Sequence, residues 1–235
     1  MADCCKAEQK TGKAVISCFV KHNRSIYAIV CRHVTNTARD SFFVKEIKTP
    51  FARKMRKNMK NEPDNYTDND IDLIEITTDR CNPVFRNLKG EIKCERIFTG
   101  RTVELYGKAV FQCYKTDTEG TCNSKAGTIS PLPKISEIIQ GSYSMETHFV
   151  VGEDKFADAG DSGRIVAYEA NDGYLELVGI IVHKCDKQTV CLLLGNGIEY
   201  LKQQYGLELT LYKSQHHSCD DEVKVEPGQI MTFRI

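Results

Sequence analysis

Gly160-Asp161-Ser162-Gly163, followed by Arg164-Ile165-Val166-Ala167-Tyr168 and then by Val178-Gly179-Ile180-Ile181-Val182, decides how this chain is read. A serine between glycines at the mouth of two apolar, β-branched runs sits on a sharp turn entering a sheet. The glycine two residues before the serine frees the backbone to turn. The amides of Gly160 and Ser162 can then point into one hole, where they would stabilise an oxyanion developing in a transition state. Four residues alone form a common turn, so the chemistry needs partners elsewhere in the chain.

Working outward, two segments supply them. Ile29-Val30-Cys31-Arg32-His33-Val34 carries an imidazole just after an apolar run, and Asn69-Asp70-Ile71-Asp72-Leu73-Ile74 carries carboxylates at the mouth of another. A serine hydroxyl is a poor nucleophile at neutral pH and needs a base within hydrogen-bond reach. His33 is the candidate base, and Asp70 the group that would hold its useful tautomer. Asp68 and Asp72 stand beside Asp70 as alternatives. Asp72 shares a strand face with Ile74 and Ile76, whereas Asp70 lies at the strand's mouth, where such an acid is expected.

With these residues in the order His, Asp, Ser, the chain resembles the trypsin/chymotrypsin-like serine proteases over roughly Lys13 to Tyr212. The resemblance implies an all-β fold of two antiparallel six-stranded β-barrels with a short C-terminal helix. It also implies a serine endopeptidase working through His33, Asp70 and Ser162, with Gly160 and Ser162 as the oxyanion hole. Two departures set the chain apart from secreted, zymogen-derived members. No Arg/Lys-Ile-Val-Gly-Gly activation sequence occurs, so Asp161 must find another partner, such as a Lys, an Arg or a backbone amide. Arg164 also replaces the small residue the family usually has there, which puts the local strand geometry in question. Both features look more like constitutively folded relatives, such as the high-temperature-requirement stress proteases or viral chymotrypsin-like proteases.

Composition agrees with this class. A chain of 235 residues suits one large all-β domain or two small barrels. Lys+Arg and Asp+Glu both number 32, which gives no reason to expect nucleic acid or an anionic membrane as partner. No apolar run is long enough to span a bilayer, and Met1 to Lys6 lacks the apolar core of a signal peptide; an intracellular location is expected. The eleven cysteines include no Cys-x-x-Cys pair, and Val34 stands where secreted relatives continue a disulfide beside the histidine. Reduced thiols are therefore expected, with no metal and no organic cofactor. Cys4-Cys5 reads as part of a terminal tail.

Many short strands with turn chemistry between them favour a barrel or a sandwich, and the resemblance implies four segments: a flexible 1–12, a first barrel over 13–100 carrying His33 and Asp70, a second over 101–213 carrying Ser162, and a tail over 214–235. Ala14 to Val20 and Ile26 to Val30 form a hairpin about His22-Asn23-Arg24-Ser25. Thr102 to Tyr106 is predicted as a strand, and Ile198 to Tyr205 as a helix stopped by Gly206. The basic run Arg53 to Lys60 reads as a solvated loop or short helix. In the tail, Pro227 interrupts an alternating pattern before Ile230-Met231-Thr232-Phe233, which would add a strand to a sheet edge or fold back near the site.

The primary substrate pocket is expected between Asp154 to Ala159, notably Phe156, Ala157 and Asp158, and Val182-His183-Lys184. Phe156 stands where basic-selective relatives carry an acid, which argues against cleavage after Lys or Arg. His183 and Lys184 favour an acidic or polar side chain; Asp158 argues the opposite way. The partner is a polypeptide in either of two readings, an endopeptidase or a catalytically silent protease-like fold that binds peptides by strand addition. A third reading, Cys31 or another thiol as nucleophile, lacks a local Cys-Gly signature.

Overall fold

The computed structural model describes residues 11–44, 49–55, 69–78, 80–113, 125–131, 143–144, 146–152, 155–185, 187–213 and 225–234. Cys4-Cys5, Arg56 to Lys60, Asp68, Asp154 and tail residues 214–224 lie outside them.

The first sheet grows from β2 (Cys18–His22) and β3 (Ser25–Val30), joined by a two-residue turn in which Asn23 takes φ 53°. Asn is among the few residues that tolerate that left-handed conformation, so a tight hairpin forms there. β3 pairs with β6 (Asp72–Ile76), which pairs with β5 (Ala52–Lys54) and then β4 (Ser41–Val44). β1 (Thr11–Val15) does not continue straight into β2: the chain bends at Ile16-Ser17. Alternation along β3 sets both packing layers. Ala28 and Val30 enter the core of this sheet with Phe19, Phe42, Phe51 and Ile74, while Tyr27 and Ile29 face the core shared with the second sheet.

The second sheet is a closed six-stranded antiparallel barrel. Its order is β11 (Ile165–Glu169), β8 (Ala109–Gln112), β9 (Ala126–Ser130), β10 (His148–Val151), β13 (Gln188–Leu193) and β12 (Leu175–Cys185), and β12 pairs back onto β11. Irregularities at Val166/Ala167 and Ile181/His183 lie in β11 and β12, the strands flanking Ser162. Such bulges are common at barrel rims, where they re-aim side chains. β7 (Glu95–Ile97) adds in parallel to β12.

The expectation of two closed barrels is corrected for the first half, whose sheet is not closed among the described residues. Its order is β1, β15 (Ile230–Arg234), β4, β5, β6, β3, β2 and β14 (Thr210–Leu211), and the two end strands do not pair. The reason lies in the tail. β15 inserts between β1 and β4, in register with both, while β14 covers the outer edge of β2. Strand membership thus crosses positions 100 and 213: β7 joins the second sheet, and β14 and β15 join the first.

Three further elements differ from expectation. Arg53 and Lys54, expected in a solvated loop or short helix, belong to β5, where pairing with β4 and β6 holds them extended. Thr102–Leu105 is a 3-10 helix rather than a strand, closed when Glu104 N–H donates to Arg101 O at 3.0 Å and Arg101 N–H to Glu104 Oε1 at 3.2 Å. This local hydrogen bonding competes with a ladder, and β-branched Thr102 and Val103 do not outweigh it. His33 lies not at a strand end but in a short helix, α1 (Arg32–Thr37), after β3 closes at Val30. The expected helix is present as α2 (Leu194–Tyr205), ending at Gly206.

Candidate active site

The antiparallel register of β3 and β6 pairs Val30 with Asp72. Residues just past the end of β3 and just before the start of β6 must therefore meet at one end of the ladder, and they are His33 and Asp70. His33 N–H donates to Asp70 Oδ1 at 2.9 Å, and His33 Nδ1 lies 2.7 Å from Oδ2. Both carboxylate oxygens thus hold one residue, fixing the ring and placing the proton on Nδ1, which leaves the Nε2 lone pair available. The hydrogen bond from Asp70 raises the His33 pKa above its ordinary 6.5; partial burial opposes this and the Asp70 charge adds to it. Asp72 serves differently. It is 2% exposed and accepts the Thr35 hydroxyl at 2.5 Å, the Leu73 amide at 3.0 Å and the Tyr205 hydroxyl, which locks α1 and α2 to the sheet.

Ser162 sits on the loop from Asp158 to Gly163. Gly160 takes φ +96° in open space, so glycine is needed there for conformation rather than room. Asp161 N–H donates to Asp158 O at 3.1 Å, which commits it to the turn. Among the described residues the amides of Gly160 and Ser162 have no hydrogen-bond acceptor, the condition for an oxyanion hole. The missing partner of Asp161 is Arg164, the residue that stood out in the sequence. Arg164 Nε donates to Asp161 Oδ1 at 2.9 Å, and the Asp158 amide donates to Oδ2 at 2.9 Å. Burial pushes the Asp161 carboxyl up, but the Asp158 amide, Arg164 and Lys125 outweigh it and hold its pKa below the ordinary value.

His33 and Ser162 together line two adjoining clefts. One of about 430 Å³ is bounded by Arg32, Asn36, Asp70, Tyr143, Val182 and His183. The other, about 380 Å³, is bounded by Lys13, Ala14, Val15, Val34, Ala159, Gly160, Asp161, Arg164 and Ile230. His33 bonds Asp70 through its amide and Nδ1, and a base-to-serine contact is one that such sites commonly tighten on substrate. Of the expected pocket residues, Val182 and His183 line the first cleft. Phe156 and Ala157 are buried in the barrel core. Asp158 pairs with Lys125 and approaches Lys184 Nζ at 3.9 Å. Tyr143 and Lys13 to Val15 were not singled out from sequence, because only long-range folding brings them here; Ile230, whose segment was expected at a sheet edge or back near the site, lies in the cleft wall on a strand inside the sheet.

Cys31, His33 and Asp70 offer donor atoms within 4.8 Å of one another. They fit a metal poorly. Asp70 is committed to His33, and burial, with the Asp70 charge second, pushes the Cys31 thiol well above 9.0, away from the thiolate a metal needs. At 1% exposure, with its thiol directed to Ile181 O at 3.7 Å, Cys31 is not placed to act as a nucleophile either. Cys18, Cys94 and Cys191 are also free thiols. Among the described residues no helix is long and apolar enough to cross a membrane.

The closed barrel and the sheet packed on it make a chymotrypsin-like fold, shared with solved serine proteases. A glutamic acid-specific serine protease that uses a histidine triad in substrate binding matches with a TM-score of 0.52 at 13% identity, over 84% of this chain and 92% of its own. Protease A of Thermobifida fusca matches with a TM-score of 0.51 at 15% identity, over 84% and 91%. No protein-family model and no curated protein sequence matches the chain.

Proposed function

We propose that this chain is a serine endopeptidase acting through Ser162, His33 and Asp70. The observation that carries this reading is the His33 Nδ1–Asp70 Oδ2 hydrogen bond of 2.7 Å in a cleft that Ser162 also lines. Ser162 Oγ attacks the peptide carbonyl carbon while His33 Nε2 takes its proton. The negative charge then collects on the carbonyl oxygen, facing the amides of Gly160 and Ser162. Collapse of this intermediate breaks the C–N bond, and His33 returns the proton to the leaving amine. Water, deprotonated by His33 in turn, hydrolyses the acyl-enzyme. Asp70 stays ionised throughout and stabilises the imidazolium.

His183 lines the cleft beside Ser162, and the charge of Asp158 is shared between Lys125 and Lys184. An acidic or polar side chain in the primary pocket suits that balance, and glutamate is the residue for which the first structural neighbour is specific. The thiols at Cys18, Cys31, Cys94 and Cys191 suit a reducing, intracellular compartment.

Labelling by a fluorescent fluorophosphonate tests the reading. Wild type is expected to label, and Ser162→Ala and His33→Ala variants of equal folding are not. A folded wild type that stays unlabelled across the neutral range would overturn it. That result would favour the peptide-binding reading.

A further inference from the structure

The turn Glu226-Pro227-Gly228-Gln229 is closed when Gln229 N–H donates to Glu226 O at 3.2 Å, with Gly228 at φ +81°. Proline followed by a glycine of positive φ is the signature of a rigid type II turn. Two main-chain bonds dock the turn on the bend between β1 and β2: Gly228 N–H donates to Ile16 O at 2.7 Å, and Ile16 N–H to Gln229 O at 3.1 Å. From this seat the Gly228 carbonyl accepts a hydrogen bond from Arg164 Nη1 at 3.0 Å. The same guanidinium holds Asp161 Oδ1 through Nε, and Asp161 Oδ2 holds the Asp158 amide. An unbroken line of hydrogen bonds therefore runs from the C-terminal turn to the loop whose amides face the Ser162 cleft. Directly after the turn, Ile230 pairs with Val15, and both line that cleft.

We propose that Arg164 is a positioning residue that braces the oxyanion loop against the C-terminal turn, so that seating of residues 225–234 switches Ser162 chemistry on. The inference rests on the serine-hydrolase reading for its effect on chemistry, but not for the mechanical coupling. A guanidinium suits the task because its planar fork can hold a carboxylate and a carbonyl at once in fixed geometry. Without it, Asp161 loses the charged contact of 2.9 Å that ties it to the C-terminal turn, and the loop through Gly160, a glycine in open space, loses that anchor. Segment 225–234 thereby does in cis what a separate activating contact would otherwise do. Any event that unseats the strand, whether cleavage or capture by a binding partner, would silence the serine.

The test uses the full chain and two readouts: fluorophosphonate labelling rate, and hydrogen–deuterium exchange of peptides spanning 155–164 and 225–234. Arg164→Met keeps the bulk of the stem and removes the fork. It is expected to label about 100-fold more slowly per folded molecule, the order expected for a lost oxyanion donor, with the folded fraction measured alongside because the buried Asp161 carboxylate loses its charge partner. Exchange should accelerate within 158–162 while the strands of the closed barrel keep their protection. Arg164→Lys, able to keep one of the two contacts, should recover part of the rate. Gly228→Ala strains the turn without touching residue 164, and it should loosen 158–162 in the same direction with a smaller effect. Labelling of Arg164→Met within about twofold of wild type would overturn the brace, as would 158–162 exchange left unchanged by both variants. A wild type that never labels defeats the serine-hydrolase reading alone, and the exchange measurement then decides the coupling.

Discussion

At the residue scale, two aspartates two positions apart divide the work by the direction their strand gives them. Asp70 precedes the first ladder pair of β6 and turns to His33; Asp72 is inside the ladder and turns to Thr35 and Tyr205. Reaction requires neutral His33, so activity should rise with pH through the His33 pKa. Because Asp70 raises that pKa, the midpoint of the acid limb is expected above 6.5. Asp70→Asn leaves burial as the main influence, which lowers the pKa; the midpoint should drop, and the rate should fall by about 10⁴-fold. A pH profile of labelling for both proteins checks this, and an unmoved midpoint would refute it. Asp72→Ala has a different signature: the Tyr205 hydroxyl loses its acceptor while Thr35 keeps Arg32 O at 2.9 Å, costing about 1–3 kcal/mol in urea unfolding. Its folded fraction should label at the wild-type rate.

At the element scale, β12 is the strand on which most of the site depends. It closes the barrel, carries Val182 and His183 into the cleft, and receives Gly163 N–H on Ile181 O at 2.8 Å. Gly179 lets this strand pass close to β13: an added Cβ would meet Leu192 O at 2.6 Å and the Phe149 ring at 2.7 Å. Gly179→Ala is expected to destabilise the protein by about 1–3 kcal/mol through overpacking. Chemical denaturation measures it, and an unchanged midpoint would show that the ring yields without strain. Near-continuous apolar, β-branched runs made β3, β6, β11 and β12 legible in the sequence, because burial of both faces selects Val, Ile and Leu whatever the pairing. The 3-10 helix at Thr102–Leu105 and the short helix carrying His33 were not legible. In each, local hydrogen bonds overrule residues whose composition alone favours a strand.

At the scale of the whole molecule, the two sheets differ in how they end. The barrel has no free ladder edge within its ring of six, whereas the first sheet ends at β1 and β14. Closed ladders open only with the global transition, while terminal strands fray. Native-state hydrogen exchange should therefore find the slowest amides in β10, β12 and β13, and earlier exchange in β1 and β14. The reverse order would mean that the first sheet, not the barrel, is the stable half. The insertion of β15 between β1 and β4 ties the stability of that sheet to residues more than 200 positions from β1 along the chain. It also makes the C-terminal strand part of the cleft wall through Ile230.

The sequence by itself determined the fold class, the serine turn and the identity of the three candidate reactive groups. Strand periodicity, turn glycines and the types of nearby residues are properties of neighbours in the chain, so they can be read without knowing what lies opposite. Tertiary structure alone decided that His33 and Asp70 come into contact, that Phe156 belongs to the core, that the first sheet stays open among the described residues, and that the guanidinium on Asp161 also reaches the Gly228 carbonyl. Each of these depends on which backbone comes to lie alongside another: the His33–Asp70 contact spans 37 residues and the Arg164–Gly228 contact 64. Such pairings are fixed by strand register and by the packing of two sheets on one core, and neither leaves a periodic mark in the chain that it joins.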